Sequence, residues 1–161
     1  MDALPSDTVD FMRSWSLEAT YPTAADVMEL RALVPWGTRL YLSAVANQPH
    51  ERLVVSACSA RAAGLEPVPH IAARHYQTQA ALEACLDALA DKAAVHTALI
   101  IGGDCDVASG PFSKAQDVIA SGILQRFGVT EIGIGGYPDA HPSSALSWRE
   151  VDLSAMERQP E

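Results

Sequence analysis

Basic residues are scarce in this chain. Eleven Lys and Arg stand against 20 Asp and Glu, giving a formal charge of −9 and a pI near 4.9. No basic stripe exists to displace counterions from a phosphate backbone, which argues against nucleic acid and anionic membrane as partners. Cysteines are few and odd in number. Cys58, Cys85 and Cys105 lie far apart with no C-x-x-C pair, so they read as reduced thiols without a disulfide framework or a zinc knuckle. No apolar run approaches the ~20 residues of a membrane span. The acidic start, Met1-Asp2-Ala3-Leu4-Pro5-Ser6-Asp7, lacks the apolar stretch of a signal peptide. The expected location is cytoplasmic.

What the sequence does have is alternation. Short apolar runs at 15–20, 39–45, 66–71, 97–101 and 131–137 are separated by stretches of helical period. Thr23 and Asp26 form a capping-box pair ahead of Val27, Leu30 and Val34, and Pro35 ends that helix. A second helix runs from about Glu51 to Ala63 and stops at Gly64. A third carries Leu82, Cys85, Leu86 and Leu89 on one face. The fourth is expected to open with Ser113-x-x-Gln116, bury Val118, Ile119, Ile123 and Phe127, and close at Gly128; a fifth begins near Ser143.

Strands that recur with a helix between each pair imply right-handed crossovers and a parallel sheet, within a single domain over 1–161. Two architectures fit. A flavodoxin-like doubly wound sheet closes with five strands, whereas a complete (β/α)8 barrel needs about 250 residues. Length alone favours the open sheet. Either way the functional edge is the carboxyl end of the strands, where Glu18, Ser43, His70, Gly103-Asp104 and Tyr137 to His141 gather. Taken singly, Glu18 is an edge acid facing water, His70 a satisfied core histidine, and Gly102-Gly103-Asp104 a turn. His70 and His75 are five apart, off helical metal-site spacing, so no metal site is expected. There is no G-x-G-x-x-G, phosphate-binding loop or G-x-S-x-G elbow. The joint placement of acids and histidines on one rim is harder to set aside as accident.

The segment Gly136-Tyr137-Pro138-Asp139-Ala140-His141-Pro142 resembles the Y-P-E-x-H-P signature of methylenetetrahydrofolate reductases, with Asp139 at the Glu position. Ser16-Leu17-Glu18, Gly64-Leu65-Glu66 with Pro69-His70, and Gly103-Asp104 resemble further motifs of that family in the same order. The resemblance spans about residues 14–150. It implies part of a (β/α)8 TIM-type barrel, about five sequential units, and reverses the preference set by length. It also implies reduction of 5,10-methylenetetrahydrofolate to the 5-methyl form, with NAD(P)H as hydride donor and FAD as the usual relay. Glu18 is then the general acid at N10 of the folate, where desolvation beside Ala19 would favour its protonated form. Asp104 is the charge beside flavin and pterin. Ser43, His70, Gly103, Asp104, Tyr137 and His141 are the cofactor-binding residues.

Three positions differ from the family pattern: Ala19-Thr20 stands for an aromatic pair, Gly102 for an arginine and Ser43 for a threonine. These differences make direct nicotinamide-to-folate transfer without flavin a variant of the same reading. Five units of eight imply a homo-oligomer or a missing C-terminal half. The alternative class is a catalytically inactive half-barrel that acts as a binding or interaction module.

Overall fold

Capping chemistry sets the first helix. In the computed structural model, which describes residues 15–136, Thr23 is the N-cap of α1 (Ala24–Leu33). Its hydroxyl accepts from Asp26 N at 3.2 Å, and the Asp26 carboxylate accepts in return from Thr23 N at 2.8 Å. The helix follows β1 (Leu17–Ala19) and precedes β2 (Arg39–Leu42). The chain then runs through α2 (His50–Ala62), β3 (Glu66–Ala72), a 3-10 turn (Ala73–His75), α3 (Gln79–Ala93) and β4 (Thr97–Ile101). Two short helices, α4 (Ala115–Ala120) and α5 (Ile123–Arg126), lead to β5 (Glu131–Ile134). The expected helix near Ser143 lies outside the described residues.

All four strand pairs are parallel, and the spatial order is β1-β2-β3-β4-β5. A flavodoxin-like sheet has the order 2-1-3-4-5, so that alternative is excluded. The fold is a mixed α/β arrangement of strand–helix units on a five-stranded parallel sheet.

Register tells the two faces apart, because paired residues share a face and i, i+2 positions repeat it. Leu40, Leu42, Ile71, Ala98 and Ile100 belong to one face and pack with Val27, Leu53, Ala57, Leu82, Leu86, Leu89, Val118 and Leu124 of the helices in a single core cluster. Each such leucine contributes about 1.5–3 kcal/mol by leaving water. The opposite face carries Glu18, Tyr41, Val68 and His70, none of which enters that cluster. The described helices therefore cover one side of the sheet, where a doubly wound fold covers both.

The face opposite the described helices is bridged by an ion pair, an arrangement that inward curvature favours. Arg39 on β2 and Glu131 on β5 form an ion pair at 2.8 Å over the two intervening strands. Three strand steps span roughly 14 Å. Side chains standing off a sheet meet across that gap when the sheet curls toward them.

Two local expectations are corrected. The fourth helix is two helices, broken at Ser121-Gly122, where Gly122 turns left-handed (φ +70) and the Ser121 hydroxyl donates to Val118 O at 2.6 Å. Its cap is built on Asp117 rather than Gln116: one Asp117 oxygen accepts from Ser113 N, the Ser113 hydroxyl and Lys114 N. A charged acceptor serving three donors outcompetes a neutral amide. The strands β1 and β2 are also shorter than their apolar runs, 17–19 against 15–20 and 39–42 against 39–45, and β5 ends at Ile134.

Candidate functional site

The parallel ladder delivers its side chains to one edge. Glu18 is in register with Tyr41, and Tyr41 with Val68, so Ser43, one residue past the end of β2, and His70 on β3 share a face with Glu18 at the carboxyl end. The Ser43 backbone extends the ladder by donating to Ala19 O at 3.1 Å. Its hydroxyl then reaches the neighbouring strand and donates to Glu18 Oε1 at 2.6 Å. Glu18 itself is exposed, so the desolvation expected from an apolar strand setting is not supplied by the described residues. A three-residue strand at the sheet edge has a neighbour on one side only, which leaves its outward side chain in water.

His70 is the reverse case. It is 7% exposed, its ring meets Tyr41 edge-on at 6.0 Å, and its Nε2 is buried with no hydrogen-bond partner among the described residues. Burial pushes the imidazole below its ordinary value, and the nearby Glu18 charge pulls the other way. A neutral imidazole with one nitrogen idle is poised to donate to, or accept from, a ligand on this face.

A second group forms one loop further on. Gly103, at φ +96, turns the chain after β4; a Cβ there would come within 3.2 Å of both Ala72 Cβ and His75 Nε2. The turn brings Asp104 back to His75, whose Nε2 lies 2.7 Å from Asp104 Oδ1. The His75 side chain is 6% exposed and that of Asp104 67% exposed, so a buried ring holds an acid that faces solvent. That hydrogen bond keeps the Asp104 carboxyl below the usual carboxylate range. Arg74 fixes the loop: its guanidinium donates to Cys105 O and Ser113 O, both at 2.8 Å, and to Gly103 O at 3.5 Å, while its amide donates to Gly102 O.

Strain marks the first loop of the rim. Tyr21 sits at φ +46, a conformation a bulky residue rarely adopts, with Arg52 stacked on its ring and its hydroxyl accepting from Val45 N at 3.2 Å.

Of the residues singled out from sequence, Glu18 and Ser43 are in direct contact and His70 shares their face, whereas Asp104 pairs with His75 instead. No hydrogen bond or ion pair joins Glu18 to Asp104 among the described residues. Tyr137 and His141 lie outside those residues. His75, Arg74 and Cys105 were not anticipated as a group; their contacts are non-local, and only the position of His75 just past the end of β3 hinted at them. An open cavity of about 360 Å³ beside α1, lined by Ala19, Leu30 and Leu33 among others, belongs to the helix-covered face and holds none of these groups. No protein-family profile matches the sequence. No described helix is long and apolar enough to cross a membrane.

Proposed function

We propose that this chain is an oxidoreductase-like domain of folate one-carbon metabolism, resembling methylenetetrahydrofolate reductases, and that its five strands form part of a (β/α)8 barrel. Sequential parallel strands, helices on one side and an ion pair bridging the other support the barrel reading. The observation that carries the function is the Ser43–Glu18 bond on the same face as the buried, unpartnered His70 Nε2.

The residues present fit a planar heterocycle with polar edges. His70 offers an idle nitrogen, Ser43 a hydroxyl, and Gly103 a bare Cα beside the rim, while Asp104 keeps one carboxylate oxygen clear of His75. Tyr137 and His141 complete the set by resemblance. A bound reduced flavin or nicotinamide supplies the hydride.

The chain's own contribution is acid–base and electrostatic. N10 of the folate leaves poorly unless protonated, and Glu18 is the proton donor. Ser43 holds Oε1, which directs the other Glu18 oxygen outward to carry and deliver the proton. Because Glu18 is exposed in the free protein, the low-dielectric setting for that transfer comes from the pterin covering it. Asp104, held ionised by His75, favours the positive charge that develops when the ring opens.

Titration of the purified protein with FAD and, separately, with a reduced folate, followed by absorbance and fluorescence, tests the proposal. Saturable binding of at least one, weakened tenfold or more in Glu18→Gln or His70→Ala, is expected. No response to either ligand would overturn it.

A further inference from the structure

We propose that His75, Asp104 and Cys105 form a binding site for a zinc-class divalent cation on the loops that follow β3 and β4. One ligand atom from each, an imidazole nitrogen, a carboxylate oxygen and a thiol sulfur, lies within 4.8 Å of the other two. Zinc bonds of about 2.0–2.3 Å at tetrahedral angles separate ligand atoms by roughly 3.3–3.8 Å. The His75–Asp104 contact of 2.7 Å therefore opens slightly, and the widest gap closes by about 1 Å.

The scaffold for this adjustment is already built. The His75 ring is buried and cannot swing far, while its Nε2 faces the exposed acid. Arg74 ties the backbone of Gly103, Cys105 and Ser113 to the 3-10 turn that carries His75, so the two loops are held together. Gly103 supplies the sharp turn and leaves the space beside His75 Nε2 free of a Cβ. Three protein ligands leave a fourth position open to water or a small ligand, the pattern of sites that exchange or activate a bound group rather than of closed structural sites. A nitrogen, oxygen and sulfur set selects Zn²⁺ or Co²⁺ over Mg²⁺ and Ca²⁺, which prefer oxygen alone.

Cation binding at these residues stands without the folate reading. Only its consequence rests on that reading: an ion that takes up Asp104 removes it from the pterin rim, so the metal inhibits folate binding.

Cobalt titration of the reduced, metal-stripped full chain is the direct test. One equivalent should produce a thiolate-to-metal charge-transfer band together with d–d bands typical of four-coordination. The charge-transfer band should vanish in Cys105→Ser and persist in Cys58→Ser. Competition against a chromophoric chelator should show Zn²⁺ affinity falling tenfold or more in Asp104→Asn, whose exposed side chain makes misfolding an unsuitable explanation, and in His75→Gln. Removing even an outer-shell partner costs roughly 10–100-fold, so losing a direct ligand should cost at least the lower end of that range. Absence of the charge-transfer band, or equal Zn²⁺ affinity in Cys105→Ser and the parent chain, would overturn the site. Reduced-folate titrations with and without Zn²⁺ then test the consequence separately: folate binding unaffected by saturating Zn²⁺ would overturn the inhibitory role, and absence of folate binding without metal would count against the folate reading alone.

Discussion

The two ends of the sheet handle charge differently. At the amino end, charged groups are matched to one another. Arg61 on α2 binds Glu66 through two nitrogens and also donates to Ala93 O and Ala94 O, closing the carboxyl end of α3. Arg39, Glu131 and Thr97 form a second closed set. At the carboxyl end the groups are left partly unmatched among the described residues: Glu18 is exposed with one serine, Asp104 is exposed with one histidine, and His70 Nε2 has no partner. In a parallel sheet of strand–helix units the first end serves stability and the second serves ligands. Water satisfies the two exposed acids until a ligand replaces it, whereas the buried His70 nitrogen is stabilised only by what reaches it.

Arg61→Ala should break the contrast hardest. It removes four donor contacts, leaves Glu66 without its partner, and frees two carbonyls around Ala94, a non-glycine residue held in left-handed backbone (φ +46). The expected loss is about 3 kcal/mol in urea unfolding, given roughly 1.5–3 kcal/mol for hydrogen bonds to charged groups. Arg61→Lys should recover less than half of it, because an ammonium cannot reproduce the two-pronged fork. On the proposed function, folate or flavin affinity per folded molecule should not change. The carboxyl end should behave in the opposite way. His70→Leu removes a buried nitrogen that has no partner among the described residues, so stability should hold within about 0.5 kcal/mol or rise by up to about 1 kcal/mol, while binding of the proposed ligand should be lost. A large destabilisation would show that the nitrogen is satisfied within the protein.

The same contrast sets what could be read from the sequence. Signals confined to a few neighbouring residues came through: the Thr23–Asp26 box, the stop at Gly64 and the run Thr97–Ile101 match the structure. Four-residue chemistry is decided locally, so one chain segment contains the answer. Asp117 was missed for a similar local reason, since a capping pattern weighted toward Gln116 ignored the stronger acceptor next to it. The rim was legible as a set of residues but not as a set of partners. Glu18 and Ser43 were both singled out, yet their bond depends on the β1–β2 register. His75 and Asp104 are 29 residues apart and meet through a glycine turn that neighbouring sequence does not announce.

Acid should also separate the ends. Burial lowers both His70 and His50, the latter stacked on Tyr76 at 4.3 Å, below the ordinary histidine value of 6.5. The unfolded chain then binds protons that the folded chain resists, so stability falls as pH drops below about 6.5 and goes on falling until the folded values are passed. Urea midpoints at pH 7.5, 6.5 and 5.5 should show this slope, and His50→Gln or His70→Gln should flatten it. An unchanged slope in both variants would remove these histidines as its source. The amino-end pairs contain no histidine, so Glu66→Gln should leave the slope as it is.

The smallest effect concerns Arg39 and Glu131. Their side chains are 46% and 53% exposed, so their attraction acts through water and is worth about 0–1 kcal/mol. A double-mutant cycle with Arg39→Ala and Glu131→Ala should give a coupling near 0.5 kcal/mol that fades in 1 M salt, where screening reaches only about 3 Å. The cycle also measures how open the lower mouth of that face is in solution. A coupling well above 1 kcal/mol, insensitive to salt, would place the pair out of water and mean that another surface closes that end, as the remaining strands of a barrel or a second copy of the chain would do.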